Sequence, residues 1–292
     1  MTETKYDVSI VLATYNEEDS VAQELEIIKK AMDTSAYSYE VILIDDASTD
    51  QTAQIAKKYD WVKLIQHPSN KGSGGARKTG TQAAKGEIVI WTDIDGTYPN
   101  HQIPQLVSYL KQKNLDQVIG ARRAEKGYFK FLRAPAKWFI RQLAMFLSGS
   151  SIPDLNSGLR AFKREIAGKY LYLLPSGFSC VSTITLAFLC NGYSVGYFPI
   201  EYYKRKGRSK FHPITDTNRY LTQVIRMIMY FNPLKIFLPV SILAIVGGLI
   251  MSLSDWLGQG TLEERDIILI ISGILIGMMG LLADLIVTAQ KR

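Results

Sequence analysis

Cysteine and histidine are scarce in this sequence, which has two cysteines and three histidines among 292 residues. Cys180 and Cys190 do not form a Cys-x-x-Cys pair, and His67, His101 and His212 lack the spacing of metal ligands. A disulfide framework and a zinc centre are therefore not expected. A nucleophilic hydrolase is not expected either, because there is no Gly-x-Ser-x-Gly elbow and Cys180 has no adjacent histidine. We expect both cysteines to be small buried side chains in a reducing compartment and the histidines to be surface or structural residues.

A secretory signal is also not expected, because no basic region precedes an apolar run in the N-terminal stretch. Two long apolar runs occur near the C-terminus, at 234–254 and 267–287. Each approaches the length of about 20 residues that crosses a bilayer core, although two buried core helices are an alternative. The linker between the runs is acidic, whereas Lys and Arg precede the first run and end the chain. The positive-inside rule therefore predicts an integral protein of the cell membrane or an ER-type membrane, with the bulk of the chain in the cytoplasm.

The net charge of +7 is unevenly distributed along the chain. Residues 1–119 hold 12 basic and 17 acidic residues, residues 120–230 hold 18 and 5, and residues 231–292 hold 4 and 5. The middle segment therefore carries +13 directly before the apolar runs. Such a segment suits anionic lipid headgroups and phosphate ligands. Nucleic acid is not an expected partner, because no recognition motif accompanies the basic charge.

The first 120 residues alternate between strand and helix patterns. Strands are predicted at 7–15, 40–45, 62–66, 87–92 and 116–120, and helices at 17–33, 51–59, 74–85 and 100–113. This alternation predicts a mainly parallel sheet covered by helices on both faces. Ligands of such sheets bind beyond the carboxyl ends of the strands. Polar clusters follow three predicted strands there, namely Tyr15-Asn16-Glu17, Asp45-Asp46, and Asp93 with Asp95.

Two amphipathic segments follow this α/β region. Segment 128–149 places a basic residue at every third or fourth position from Lys130 to Arg141, so that these residues share one face of a helix. Segment 213–231 has two arginines two turns apart among apolar residues. Both patterns are typical of helices that lie in the membrane interface. Ordinary surface helices packed on the sheet are the alternative.

Asp93 and Asp95 form the most specific chemical signal, because they directly follow a predicted strand. Two carboxylates two residues apart, where a strand gives way to a loop, can both reach one hard divalent cation. Mg²⁺ binds one or two carboxylates and completes its octahedron with water and substrate phosphates. A metal held in this way neutralises charge on a departing diphosphate.

Two further polar segments have both a functional and a structural interpretation. In segment 45–50 (Asp-Asp-Ala-Ser-Thr-Asp), Asp46 can accept hydrogen bonds from a base or ribose, while Ser48 or Asp50 can cap the next helix. In segment 70–77 (Asn-Lys-Gly-Ser-Gly-Gly-Ala-Arg), small residues let the backbone approach a ligand and the following helix start favours anions. A plain turn is an equal alternative for this second segment, which is neither a P-loop nor a dinucleotide motif.

Seven motifs in a fixed order carry a family resemblance. They are SIVLATYNEE, IDDASTD, NKGSGGARKTG, TDIDGTYP, GAR, DLNSGLRAFKRE and YYKRKGRSKF. Together they resemble family 2 glycosyltransferases over residues 7–233, and in particular the polyprenyl-phosphate branch of dolichol-phosphate mannose synthases and undecaprenyl-phosphate glucosyltransferases. The resemblance implies a Rossmann-like α/β domain of the GT-A nucleotide-diphospho-sugar transferase type, followed by amphipathic interface helices and two transmembrane helices. We expect the catalytic domain at 1–210, the second interface helix at 211–233 and the transmembrane hairpin at 234–292.

The resemblance also implies roles for single residues. Nucleotide-sugar binding would use Ala13, Tyr15, Glu17, Ile44, Asp46, Asp93, Ile94, Asp95 and Arg205. The acceptor phosphate would be bound by Arg122, Ser157, Arg160, Ser209 and Lys210. Catalytic roles would fall to Asp95, Asp154 and Arg122, and Asp93 and Asp95 would hold Mg²⁺ or Mn²⁺. Some relatives carry a metal-contacting Gln where this chain has Thr97, so a hydroxyl or water would replace that ligand here.

The implied reaction is the inverting transfer of a hexose from UDP-glucose or GDP-mannose to dolichyl or undecaprenyl phosphate. A lipid phosphate has a second pKa near ~6 and is largely dianionic at pH 7, so it needs positive charge more than a base. A glycan or protein hydroxyl acceptor would need a base, for which Asp154 is the candidate. A non-catalytic membrane subunit of a sugar-lipid system is a further alternative. Glycines at 247, 248, 273, 277 and 280 permit close helix packing between the two spans or in a homo-oligomer.

Overall fold

A computed structural model describes residues 5–122, 149–177, 179–203, 232–259 and 261–290, together with 142, 145, 229 and 230. Most of the predicted interface helix at 128–149 and nearly all of that at 213–231 lie outside the described residues, as do Arg205, Ser209 and Lys210. The chain divides into two compact units, Met1–Gln223 and Val224–Arg292.

A seven-stranded sheet forms the centre of the first unit. Its strands are β1 (Tyr6–Thr14), β2 (Tyr39–Asp45), β3 (Val62–Gln66), β4 (Gly86–Thr92), β5 (Gln117–Arg122), β6 (Arg160–Lys163) and β7 (Val195–Ile200). Their spatial order is β3-β2-β1-β4-β6-β5-β7. The short strand β6 is antiparallel to both neighbours and every other pair is parallel, so the prediction of a mainly parallel sheet is confirmed.

Helices cover both faces of this sheet, as predicted. The described α-helices of the first unit are α1 (Val21–Asp33), α2 (Thr52–Ala56), α3 (Gly72–Ala83), α4 (Ile103–Gln112), α5 (Arg164–Gly168) and α6 (Cys180–Cys190). Ile10 packs in an apolar cluster with α1 and α4, whereas Val11 packs in a second cluster with α3 and α6. Because successive residues of a strand point to opposite faces, both must be apolar when both faces are covered.

The parallel strands bring their carboxyl ends to one edge of the sheet. Thr14 at the end of β1 lies opposite Asp45 at the end of β2, and Thr92 at the end of β4 lies opposite Leu12. Strand β5 also ends at this edge with Arg122, because β4 and β5 are both antiparallel to β6. The carboxyl ends of these four strands therefore lie at the position where such sheets bind ligands.

The second unit contains two long helices, α7 (Leu234–Gln259) and α8 (Glu264–Gln290), which include the predicted spans. Residues 234–258 and 264–289 have mean hydropathies of 2.5 and 2.3 and are long and apolar enough to cross a membrane. Most of their large apolar side chains are exposed within the unit, which does not fit the alternative of two buried core helices. Gly273 and Gly277 contact Ser241, and Gly280 contacts Phe237, so these glycines serve packing between the two spans.

Candidate active site

Asp95 lies in a tight turn directly after β4. Its Oδ1 accepts hydrogen bonds from the Thr97 backbone N–H at 3.1 Å and from the Thr97 hydroxyl at 2.6 Å. Gly96 has φ +74°, a conformation that L side chains rarely adopt, and so permits the turn. Thr97, at the position where some relatives carry a Gln, therefore orients the Asp95 carboxylate with its hydroxyl.

Asp93 is held by a buried cation. Its Oδ1 accepts a hydrogen bond of 2.5 Å from the guanidinium of Arg77 on α3. Arg77 also donates to the Ser73 hydroxyl at 2.7 Å and lies over the Trp91 ring. Burial lowers the pKa of the Arg77 guanidinium, but Asp93, Cys180 and Tyr98 together raise it by more, so the net shift is upward and Arg77 stays protonated. The side chain of Asp93 is 33% exposed whereas that of Arg77 is 3% exposed, so Asp93 presents the accessible end of this pair.

Gly158 packs against the other oxygen of Asp93. A Cβ atom on Gly158 would lie 2.7 Å from Asp93 Oδ2 and 3.2 Å from both Arg77 and Tyr98. The Gly158 backbone N–H donates a 2.6 Å hydrogen bond to the Tyr98 hydroxyl. Burial raises the pKa of Tyr98, and the negative charge of Asp93 raises it further, so its hydroxyl stays neutral. The absence of a side chain at Gly158 thus lets the segment before β6 reach Asp93.

Arg122 and Asp154 form a two-pronged ion pair at the end of β5. Arg122 donates from Nε to Asp154 Oδ2 at 2.7 Å and from its terminal nitrogen to Oδ1 at 2.9 Å. The two side chains are 12% and 10% exposed. Burial raises the pKa of the Asp154 carboxyl, but hydrogen bonds and charge from Arg122 lower it more, so the net shift is downward. A carboxylate stabilised in this way is a weak base.

Arg160 lies beneath the site rather than at its surface. It is fully buried at the start of β6, and its guanidinium donates to the Ser157 carbonyl, the Val181 carbonyl and the Thr185 hydroxyl. Burial lowers the pKa of Arg160 to about 10, which leaves it protonated at pH 7. Ser157 is also fully buried. Both side chains are thus covered by protein, and Arg160 ties the 154–158 segment to helix α6.

The carboxylate of Asp46 is hydrogen-bonded to the neighbouring loop. It accepts hydrogen bonds from the backbone N–H groups of Lys71 and Gly72, both at 2.8 Å, and lies 2.7 Å from His67 Nδ1. His67 is buried and also contacts Thr79, in keeping with a structural role. A base or ribose bound by Asp46, as predicted, would therefore share its carboxylate with three protein groups.

The remaining predicted nucleotide residues differ in exposure. Ala13 near the end of β1, and Tyr15 and Glu17 just after it, are partly exposed. Ile44 and Ile94 are buried in the two apolar clusters, so their side chains do not line an open surface and only their backbone atoms can meet a ligand.

The glycines of segment 70–77 serve packing in this structure. A Cβ atom on Gly74 would lie 2.0 Å from the Pro175 carbonyl oxygen, and one on Gly72 would lie 2.4 Å from that of Ser176. The Ser176 carbonyl also accepts the Gly74 N–H at 2.7 Å at the start of α3. The interpretation as a close turn therefore fits these glycines better than a phosphate cradle.

The donor set at this edge fits a hard divalent cation that is shared with a substrate. Asp93 and Asp95 supply two carboxylates, and within the described residues no group of three or more His, Cys, Asp or Glu side chains could hold a metal. Mg²⁺ is commonly bound by one or two carboxylates with phosphate and water as the other ligands. The site therefore suits a metal that arrives with a diphosphate.

Two family models match the chain. Residues 9–171 match Glycosyl transferase family 2, and residues 232–289 match the GtrB C-terminal hairpin. The chain belongs to glycosyl transferase family 2. It is therefore a glycosyltransferase, and the resemblance inferred from the seven motifs is confirmed. A purely non-catalytic membrane subunit does not fit this family.

Relatives of this glycosyltransferase carry names of the predicted branch. It is 32% identical to a dolichyl-phosphate hexose transferase of Haloferax volcanii over 73% of this chain and 90% of the relative. It is 30% identical to the human dolichyl-phosphate beta-glucosyltransferase over 56% of each chain. It is also 30% identical to a dodecaprenyl-phosphate galacturonate synthase of Rhizobium johnstonii, over 55% of this chain and 48% of that protein.

Solved structures confirm the GT-A-like Rossmann fold. Glucosyl-3-phosphoglycerate synthase of Mycobacterium tuberculosis, crystallised with Mg²⁺ and UDP, has a TM-score of 0.60 and 18% identity over 76% of this chain and 79% of that one. The same enzyme with Mn²⁺, UDP and phosphoglyceric acid also has a TM-score of 0.60 and 18% identity, over 76% and 78% of the two chains. At this identity the likeness concerns the fold.

Several residues of the site carried no predicted role. Arg77 and Tyr98 lie inside quoted motifs, but their partners Asp93 and Gly158 are 16 and 60 residues away. Tyr202 packs against Tyr98 and lies under the Arg122 guanidinium. The local signals were a lone arginine on a small-residue helix face and aromatic residues beside acidic and basic motifs, which do not identify a partner.

Proposed function

We propose that this glycosyltransferase moves a hexose from a nucleoside diphosphate sugar, UDP-glucose or GDP-mannose, to dolichyl or undecaprenyl phosphate with inversion of configuration. The observation that carries the proposal is the Arg122–Asp154 ion pair at the same sheet edge as Asp93 and Asp95. It fixes the Arg122 guanidinium at this edge, beside a carboxylate that is too acidic to serve as a strong base. Such a site suits an acceptor that is already anionic.

The choice of acceptor follows from the pKa of Asp154. A hydroxyl acceptor must lose a proton during attack, and a general base works best when its pKa lies near the operating pH. The pKa of Asp154 is shifted the other way, below its ordinary value. A phosphate acceptor is largely dianionic at pH 7, since its second pKa is near ~6. Its main requirement is to be held close to a second anion, which Arg122 can meet.

The donor side of the proposal rests on the two carboxylates after β4. Asp93, fixed by Arg77, and Asp95, fixed by Thr97, are preorganised and would lose little freedom on binding. Mg²⁺ or Mn²⁺ held there would neutralise charge on the leaving nucleoside diphosphate. An oxygen of the lipid phosphate would attack the anomeric carbon from the side opposite the diphosphate, which inverts the configuration.

We propose supporting roles for Arg160 and Ser157 rather than direct phosphate contacts, because both are fully buried. Ala13, Tyr15 and Glu17 remain proposed base-pocket residues, with the backbone of Ile44 and Ile94 beside them. Arg205, Ser209 and Lys210 remain proposed phosphate-binding residues on the strength of the family motif. The two apolar helices support a membrane location for the lipid-phosphate acceptor, with the catalytic domain on the cytoplasmic side.

The direct test is transfer by purified full-length protein in detergent. Radiolabelled UDP-glucose and GDP-mannose would each be offered with dolichyl or undecaprenyl phosphate and Mg²⁺ or Mn²⁺, and the lipid product extracted and counted. We expect the Asp95→Ala variant to lose at least roughly 100-fold in transfer, with an unchanged melting temperature. Asp60→Ala, at an exposed carboxylate outside the site, is the matched control.

Two outcomes would overturn the proposal. One is wild-type turnover by Asp95→Ala, which would remove the metal site. The other is transfer to a soluble glycan or peptide without any lipid phosphate, which would remove the acceptor. The anomeric coupling constant of the product, measured by NMR, reports inversion or retention directly.

A further inference from the structure

Tyr202 follows β7, the last strand of the chain, by two residues and contacts residues of two other parts of the site. Its ring faces the Arg122 guanidinium, with 5.2 Å between the guanidinium carbon and the ring centroid. The same ring meets Tyr98 edge to face, with 5.3 Å between centroids and 68° between planes. Tyr202 therefore bridges the loop after β4, which carries Tyr98, and the end of β5, which carries Arg122.

Each neighbour of Tyr202 is bonded to a different part of the site. The Tyr98 hydroxyl accepts the N–H of Gly158, which packs against Asp93. The guanidinium of Arg122 donates two hydrogen bonds to Asp154, and the Arg122 backbone N–H donates a third. A chain of contacts from Arg122 through Tyr202 to Tyr98 thus links the Arg122–Asp154 pair to the part of the site that holds Asp93.

The backbone next to Tyr202 is tied to the Asp95 turn. The N–H of Tyr203 donates a 2.9 Å hydrogen bond to the carbonyl of Thr97, whose hydroxyl orients Asp95. Burial raises the pKa of the Tyr202 hydroxyl, and Asp95 raises it further, while Thr97 and Arg122 lower it. The ring is thus within electrostatic reach of both the metal-binding turn and the proposed phosphate-binding cation.

We propose that Tyr202 is a positioning residue, which fixes Arg122 relative to Asp93 and Asp95 and so sets the spacing between the acceptor phosphate and the donor diphosphate. This role rests on the proposed function and deepens it, because two anions must be held at a fixed separation for in-line attack. The ring face supports the guanidinium by a cation–π contact, which is strongest where water is excluded. Its edge contact with Tyr98 fixes the ring plane.

The kinetic test compares Tyr202→Leu, which removes the ring, with Tyr202→Phe, which keeps it and removes only the hydroxyl. Tyr172→Leu, at a tyrosine that is 62% exposed, is the matched control. We expect Tyr202→Leu to raise the KM for polyprenyl phosphate about tenfold and to leave the KM for the nucleotide sugar within about twofold. Tyr172→Leu should behave like the wild type. Tyr202→Phe keeps the ring and loses only the hydrogen bond of its hydroxyl with Thr97, so it should keep the wild-type KM for polyprenyl phosphate.

A second measurement reads the position of Arg122 without any turnover. In protein labelled with ¹⁵N-arginine, the Arg122 Nε–H resonance can be assigned from its loss in Arg122→Lys. Tyr202→Leu should shift this resonance, because the ring current and the support of the Asp154 pair are both removed, while Tyr172→Leu should leave it in place. This readout separates the inference from the proposed function, since it holds whichever acceptor the wild type uses.

The inference is overturned if the Arg122 resonance is the same in Tyr202→Leu and Tyr172→Leu. It is also overturned if Tyr202→Leu raises both KM values equally together with a lower melting temperature, which is the signature of a merely structural residue. A wild type that uses no polyprenyl phosphate would overturn the proposed function alone, and the resonance shift would then decide the position of Tyr202.

Discussion

The contact between Gly158 and Asp93 leads to a specific prediction, because a methyl group at this glycine would clash with its neighbours. In Gly158→Ala the new Cβ would lie 2.7 Å from Asp93 Oδ2, whereas ordinary contact begins at 3.4 Å. The methyl would also lie 3.2 Å from Arg77 and from Tyr98, both of which are buried. Asp93 is the most exposed of the three, so we expect its carboxylate to be displaced.

The size of the effect follows from these distances. The carboxylate oxygen must retreat by about 0.7 Å, the difference between 2.7 and 3.4 Å, and a misplacement of roughly 1 Å at a reacting centre can cost about 100-fold in rate. Overpacking costs about 1–3 kcal/mol in stability. Movement of Asp93 also weakens its hydrogen bond to Arg77, which leaves a buried guanidinium less well paired.

The assay measures transfer at increasing Mg²⁺ or Mn²⁺ concentration, together with the melting temperature in detergent. We expect Gly158→Ala to lower kcat by about 10- to 100-fold and to raise the concentration of metal needed for half-maximal rate. Gly168→Ala is the matched control, because a Cβ there meets no atom within 4 Å. A Gly158→Ala enzyme with wild-type rate and metal dependence would show that Asp93 is not held where the reaction needs it, and the reasoning would fail.

Two further predictions concern the ion pair and the hairpin. Folding lowers the pKa of Asp154, so its contribution to the free energy of unfolding is complete above the ordinary value of 3.8 and is lost as the pH falls through the lower folded value. The urea midpoint of Asp154→Asn should therefore lack this decline at acidic pH. The control variant Asp60→Asn should keep it. Asp154→Asn should also lose roughly 100-fold in transfer, and a variant that kept full activity would contradict the proposed role of the ion pair. Gly273→Ala would place a Cβ 2.6 Å from the Ile245 side chain and should cost about 1–3 kcal/mol in detergent melting followed by circular dichroism, whereas Gly247→Ala makes an ordinary 3.7 Å contact and should not. Equal melting of the two glycine variants would contradict the helix packing described here.

The positions of the carboxylates could be predicted from local sequence. Asp45, Asp46, Asp93 and Asp95 each follow a run of apolar residues, and a run of this kind becomes a buried parallel strand wherever both faces of a sheet are covered. Parallel strands all end at one edge, so the meeting of these residues follows from the strand pattern alone. The two apolar helices are likewise determined by composition and length.

The partners of these residues could not be predicted in the same way. Asp46 remains a predicted ligand contact, and the structure adds partners that local sequence does not indicate, namely the backbone of Lys71 and Gly72 and the ring of His67. Arg160, predicted from the motif to bind a phosphate, is buried and donates to groups on helix α6 and on the preceding loop, which local sequence does not indicate. Whether a polar side chain faces a cleft or the interior depends on which loop covers it, and that loop can be far away in the chain.

The sequence by itself determined the alternation of strands and helices, the strand-end aspartates, the separation of charge and the apolar C-terminal helices, because each depends on residues within about one element of each other. Only the tertiary structure decided that Arg77 holds Asp93, that Gly158 leaves room for it, and that Tyr202 lies between Arg122 and Tyr98. These contacts join residues from about 15 to more than 100 positions apart, and they form only when the helices and loops pack on a completed sheet.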